Sequence, residues 1–307
     1  WYRNHVKRYV TQSNRQCYSF KRISMRIFLI LVGFLFFTDT VVAQQKKPFV
    51  IYNQNGKKVS YADLLSSTSN SDVVLFGEAH NSAMIHWLEY ELIADLFVKE
   101  NNLGIAMEML SGDQQVSINN YLDDNINLKQ LQNEIDLWPN FRTDYLQILN
   151  FAKENELMLI GSNAPQQIAR NVYKKGGFAY LDELDEKELA FLPPRPIPFD
   201  PELPAYKRMK KMMGTHGGND IVKAQALKDA TMAHHLVDMA KEKDLVVHLN
   251  GKYHSDDHEG IFWYLEKYRP ELKVQTVSMV NQADIFSLQE EHQDKADFII
   301  CIDKKMT

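Results

Sequence analysis

Three short stretches of this 307-residue chain end an apolar run with groups that can do acid–base or metal chemistry. Gly77-Glu78-Ala79-His80 follows Val73–Phe76, Glu108 closes Leu103-Gly-Ile-Ala-Met-Glu108, and His254 follows Leu245–Asn250 across Gly251-Lys252-Tyr253. Two imidazoles and a carboxylate, His80, Glu108 and His254, can hold a divalent metal ion while leaving positions open for substrate. Without a metal, the same set joined by Glu78 can supply a general base and the carboxylates that orient it, the equipment of a hydrolase. A plainer account makes Glu78 a helix-capping carboxylate and the histidines structural. The chain has no G-x-G-x-x-G, P-loop, G-x-S-x-G, H-E-x-x-H or CxxC pair to direct the choice elsewhere.

The elements around these residues define the fold expected. Val73–Phe76 is short, unbroken and half β-branched, the pattern of a strand buried on both faces. Met84, Ile85, Leu88, Leu92 and Leu96 then recur at helical spacing behind Asn81-Ser82, which can cap a helix. The second strand, Leu103–Glu108, completes a βαβ unit, so the two strands run parallel and bring Glu108 to the same sheet edge as His80. If the two strands are neighbours, their side chains converge. Leu157–Gly161 and Leu245–Asn250 extend the parallel set, and Lys273–Met279 and Asp297–Ile302 close it. Helices are expected over Gly112–Leu137, Asp144–Asn155, Gln166–Lys174, Asp220–Lys243 and Gly260–Tyr268. Asp229 sits on the apolar stripe of the fourth of these, where a carboxylate needs a partner. The fold class is therefore α/β: a mostly parallel central sheet flanked by helices, with ligands expected at its carboxyl edge.

Residues 178–219 interrupt this alternation. Leu192–Pro198 carries four prolines and excludes regular structure, and Tyr206–Met213 is a basic, methionine-rich segment followed by Gly214-Thr-His216-Gly-Gly218. This helical, Pro/Met-rich insertion forms either a lid over a large flat ligand or a subdomain packed on the sheet by its methionines.

The first 43 residues are unlike the remainder. Met25-Arg26 precedes an eleven-residue apolar run, Ile27–Phe37, and Val41-Val42-Ala43 offers a cleavage site. Residues 25–43 read as a signal peptide, residues 1–24 as an upstream over-read of the frame, and 44–307 as a single domain. The expected location is outside the cytoplasm, in a periplasm or cell envelope. Seven of 35 basic and one of 40 acidic residues lie in the leader, leaving 28 and 39, a formal charge of −11. Such a surface excludes nonspecific nucleic-acid binding, which requires neutralised phosphates. Of Cys17 and Cys301 only the second lies in the domain, so no internal disulfide forms, and no cysteine stands at the cleavage site for lipid attachment.

In combination, several motifs resemble the ChaN-like haem-binding uptake family, within the wider group of Tiki/TraB proteins and erythromycin esterases. They are Leu75–His80, Ala106–Met109 with Asp113-Gln114-Gln115, Tyr121-Leu122, Trp138, Tyr145 ahead of Phe151-Ala152-Lys153, Ser162–Pro165, Gln225–Ala233 and Gly251–His254. The resemblance spans about Ser60 to Pro270 and implies an exported protein of haem and iron uptake. It also implies a homodimer holding ferric haem through a tyrosine, and an outer-membrane haem transport system as partner. Tyr145 matches the family's recurrent tyrosine and is the first ligand candidate; Tyr253 is the second, although the family often has a small residue there. His216, Met212 and Met213 are expected to flank the porphyrin, and the Lys207–Lys211 segment to face its propionates. A phenolate is a sound haem-iron ligand. The alternative implied by the esterase and protease relatives is a metal-dependent hydrolase built on Glu78, His80, Glu108 and His254.

Overall fold

The computed structural model describes residues 47–100, 102–213 and 220–306; the proposed leader and His216 lie outside the described residues. Eight strands form one sheet in the order β2-β1-β8-β7-β3-β6-β4-β5. Their ranges are β1 Phe49–Asn53, β2 Lys58–Val59, β3 Val73–Glu78, β4 Leu103–Ser111, β5 Met158–Asn163, β6 Leu245–Gly251, β7 Val274–Gln282 and β8 Phe298–Asp303. The six strands from β5 to β8 run parallel, and β1 and β2 join antiparallel at one edge. The α/β class and the parallel strands are those expected from the sequence.

One expectation about the order changes. β3 and β4 are not neighbours, because β6 lies between them and pairs with both. β6 comes late in the chain and is buried along all seven residues, His248 and Asn250 included. A strand buried on both faces gains most in the sheet interior, and β6 lies there, third from the β5 edge. The edge chemistry is therefore organised on Gly251, the last residue of β6, which pairs with Glu78.

Alternation along the strands sends side chains to two apolar layers. Val74 and Phe76 of β3 and Ile105 and Met107 of β4 join the layer covered by the Ala83–Lys99, Gln115–Leu122 and Leu146–Glu154 helices. Val73, Leu75, Ala106 and Val246 join the opposite layer, under the Gln166–Lys174, Asp220–Met239 and Ile261–Tyr268 helices. With a period of two, Glu78 falls on the first face and Glu108 on the second. The two carboxylates meet the same edge from opposite sides.

The helices follow local signals, with two corrections. Ser60 starts Tyr61–Thr68 through a reciprocal capping box with Asp63. The helix expected over Gly112–Leu137 is instead Gln115–Leu122 and Leu128–Glu134. Asp124 takes a left-handed backbone between them (φ 61°), and Asn127 caps the second piece through Gln130. The Asp144–Asn155 helix is likewise two pieces, Phe141–Asp144 and Leu146–Glu154, joined at Tyr145. In the 178–219 stretch, a Gly177–Glu183 3₁₀ turn and the Glu186–Leu189 helix lead to Pro204–Met213, whose Tyr206 and Met209 pack into the second layer. No helix among the described residues is long and apolar enough to cross a membrane.

Candidate functional site

Two glycine-initiated loops of equal spacing, Gly77-x-x-His80 and Gly251-x-x-His254, leave adjacent strands β3 and β6 and pack on one another. A methyl group on Gly77 would lie 3.0 Å from the Lys252 Cα, and one on Gly251 would lie 2.8 Å from the His80 Nε2. Both positions need the bare backbone for this approach. Gly251 also donates its N–H to Glu108 Oε2 at 2.6 Å. Through this residue His80, Glu108 and His254 do come together, as their places after separate strands suggested.

On the second face, His254 is held between two buried carboxylates. Its Nε2 lies 3.0 Å from Glu108 Oε1, and its Nδ1 contacts Asp229 Oδ1. Asp229, placed on an apolar helical stripe, thus finds its partner here, and the Tyr206 hydroxyl reaches its other oxygen at 3.5 Å. Burial opposes the charged imidazole, but Glu108 and Asp229 outweigh it and raise the His254 pKa to about 10. Burial likewise works against the Glu108 carboxylate, and the His254 charge overcomes it, bringing Glu108 down to about 2. Asp229 is raised, burial prevailing over His254. Deeper on this face, His248 is fully buried against the Ser162 hydroxyl at 2.8 Å, and desolvation lowers its pKa to about 4. His248 fell within an expected strand and Ser162 just past the end of another, and neither carried a spacing signal.

On the first face, Glu78 is the centre. Its Oε1 lies 2.5 Å from His80 Nδ1 and accepts the Tyr145 hydroxyl at 2.5 Å. Its Oε2 lies 3.1 Å from His86 Nδ1, which is also 3.1 Å from Glu89 Oε2. Burial acts against a charged Glu78, but hydrogen bonds from His80 and His86 hold its carboxyl well below the usual range. Glu89 is raised well above its ordinary value, by burial first and the Glu78 charge second. His86 reaches about 10 because the two glutamates outweigh its desolvation. Asn140 donates to the His80 carbonyl at 2.8 Å and to Asp144 at 2.7 Å, fixing the loop. Sequence reasoning passed over His86 and Glu89. Their signal was available: two polar residues spaced i, i+3 on the helix face that packs on the sheet.

The candidate haem residues separate. Tyr145 is fully buried within the first apolar layer, and its one hydroxyl is committed to Glu78. Burial and the Glu78 charge both push its pKa up, which keeps the phenol protonated. Tyr253 is 71% exposed and lines the two clefts that meet at the edge. The first cleft, about 350 Å³, is walled by the Pro204–Met213 helix through Met209, Met212 and Met213, and floored by His80 and His254. The second, about 720 Å³, lies over Glu78, Asn140 and Asp144. Met212 and Met213 are 76% and 42% exposed. Arg208 and Lys295 on the first cleft both face Asp257, at 2.5 and 3.5 Å. His80, with its side chain 42% exposed, is shared by the two clefts. An imidazole pinned at Nδ1 by a carboxylate and open at its other side is arranged to accept a proton.

The chain is similar in structure to ChaN of Campylobacter jejuni, described for cofacial haem binding, with a TM-score of 0.64 and 19% identity over 83% of this chain and 97% of that one. It is more distantly similar to a mutant erythromycin esterase in its open conformation (TM-score 0.44, 12% identity, 84% and 83% covered). A Bacillus cereus protein stands at a similar distance (TM-score 0.43, 13% identity, 83% and 94% covered). No curated protein matches in sequence. The family described as haem-binding uptake, Tiki superfamily, ChaN matches residues 64–265, from the first helix of the domain through both glycine loops to the helix behind His254, and the chain belongs to that family.

Proposed function

We propose that this protein binds ferric haem at the cleft between Tyr253 and the Pro204–Met213 helix and serves in haem uptake outside the cytoplasm. The observation that carries this reading is the pairing of an exposed tyrosine with two exposed methionines across one apolar cleft. A porphyrin needs a flat apolar contact, an axial ligand and cations for its propionates. Methionines supply the first, and the Tyr253 phenolate supplies the second. Arg208 and Lys295, which line the cleft and face Asp257, supply the third. Membership of a haem-binding uptake family supports the ligand class. Tyr145 takes a supporting part, orienting Glu78 beneath the site, so the expected order of the two tyrosines is reversed. A shallow site open on one side suits haem held between two copies of the chain, with a membrane transport system as the receiving partner.

Haemin titration of the purified protein tests this reading. The expected result is a saturable ferric spectrum with tyrosinate ligation, lost in Tyr253→Phe and unchanged in Tyr145→Phe. An unchanged spectrum in Tyr253→Phe overturns the assignment. A second reading follows from the Glu78–His80 contact: hydrolysis with His80 as general base and His254 beside it. Ester or peptide turnover that disappears in His80→Ala supports it, and absence of turnover across substrates and metals removes it.

A further inference from the structure

The structure assigns a second site, independent of the haem reading: a buried centre for a divalent transition-metal ion of the zinc, manganese or cobalt type, ligated by Glu78, His86 and Glu89. Each of the three residues offers one ligand atom, and these atoms lie within 4.8 Å of one another. That spacing suits three donors around one ion, since bonds of about 2 Å at tetrahedral or octahedral angles separate ligand atoms by roughly 3–4 Å. One imidazole nitrogen with two carboxylates is a borderline donor set, which favours such ions over calcium or magnesium.

A second observation points the same way. Glu89 Oε1 is buried with no hydrogen-bond partner, and Glu78 Oε2 has only the 3.1 Å contact to His86 Nδ1, a nitrogen it shares with Glu89 Oε2; both residues are at most 1% exposed. An unpartnered carboxylate oxygen in an apolar layer is costly, and a metal ion bound by both glutamates, displacing the proton on His86 Nδ1, removes that cost. The remaining atoms of the cluster are already oriented by neighbours, as ligands usually are. Glu78 Oε1 is held by Tyr145 and His80. His86 Nε2 faces the His80 carbonyl at 3.4 Å and Asp144 Oδ2 at 3.7 Å, leaving Nδ1 as the ligand atom. Entry and a further water or substrate ligand come from the second cleft, whose wall includes Glu78 and Asp144. The centre differs from the His80, Glu108 and His254 set, and Glu78 and His80 link the two.

The test uses the purified full chain free of haem, stripped with chelator, then incubated with Co²⁺ or Zn²⁺ alone and dialysed. About one equivalent should remain by elemental analysis, and the Co²⁺ form should show visible d–d absorption. Glu89→Gln, which keeps size and shape, should lower retained metal at least tenfold, and His86→Gln should do the same. His254→Gln and Tyr253→Phe should retain it, which separates this centre from the other histidine set and from the haem site. Substoichiometric binding by the wild-type chain, or full retention by folded Glu89→Gln, overturns the assignment. Should Glu89→Gln not fold, the wild-type stoichiometry and the His254→Gln result decide: metal lost with His254 places the ion elsewhere.

Discussion

The two faces of the sheet use the same residue types and arrive at different chemistry. On the Glu108 face one histidine lies between two carboxylates, Glu108 and Asp229, and the ring answers both of them. On the Glu78 face two carboxylates, Glu78 and Glu89, share one nitrogen of His86, and Glu89 Oε1 finds no partner. The first arrangement is closed and orients a loop. The second is open and is built to take up something positive. The difference lies in which element supplies the carboxylate. Asp229 reaches across from a helix to the tip of the loop, whereas Glu89 and His86 leave the same helix face and compete for the same space.

The closed cluster should be the more damaging to break. Removing Asp229 as Asp229→Ala leaves the Nδ1–H of a buried, charged imidazole without its acceptor, and should cost about 3 kcal/mol in urea denaturation at neutral pH. A loss below about 1 kcal/mol would mean that the His254 clamp is not structural. The acid response should also belong to this face, through His248. Its folded pKa of about 4 lies below the ordinary 6.5, so the unfolded chain takes up the proton first. The stabilisation is present above pH 6.5 and is lost as pH falls toward 4, amounting to roughly 3 kcal/mol at about 1.4 kcal/mol per unit. Urea midpoints of wild type and His248→Gln across this window check it: the variant should show the shallower slope.

On the open face, Tyr145→Phe removes a hydroxyl donor from a charged, buried Glu78. A loss of about 1.5–3 kcal/mol is expected, with no change in the haemin titration. An altered ferric spectrum in this variant would return Tyr145 to the ligand role and blur the distinction between Tyr145 as support and Tyr253 as ligand. The smallest stability effect belongs to the cleft wall. Met212→Ser with Met213→Ser should change unfolding by less than about 0.5 kcal/mol, since both side chains are largely exposed, while weakening haemin binding severalfold. Equal haemin affinity in wild type and the double variant would separate the methionine helix from the site.

Much of this molecule was legible before any coordinates. The parallel strands follow from unbroken apolar runs alternating with amphipathic helices. That His80, Glu108 and His254 share one edge follows from strand direction alone. Asp229 announced itself as a carboxylate on an apolar stripe, because local composition alone says that it needs a partner.

Tertiary structure decided the rest. Strand order is a non-local choice: β6 enters between β3 and β4 after 130 or more intervening residues, and no local propensity encodes it. Which cover each face receives also settles where a strand-end carboxylate points, so Glu78 meets His86 and Tyr145 while Glu108 meets His254. Tyr145 and Tyr253 carry the same phenol and look alike as candidate ligands in sequence. One sits at the joint of two short helices inside the core and the other on the exposed turn after Gly251. The sequence determined which chemical groups the edge would hold; burial, which depends on residues far apart in the chain, determined which of them a ligand can reach.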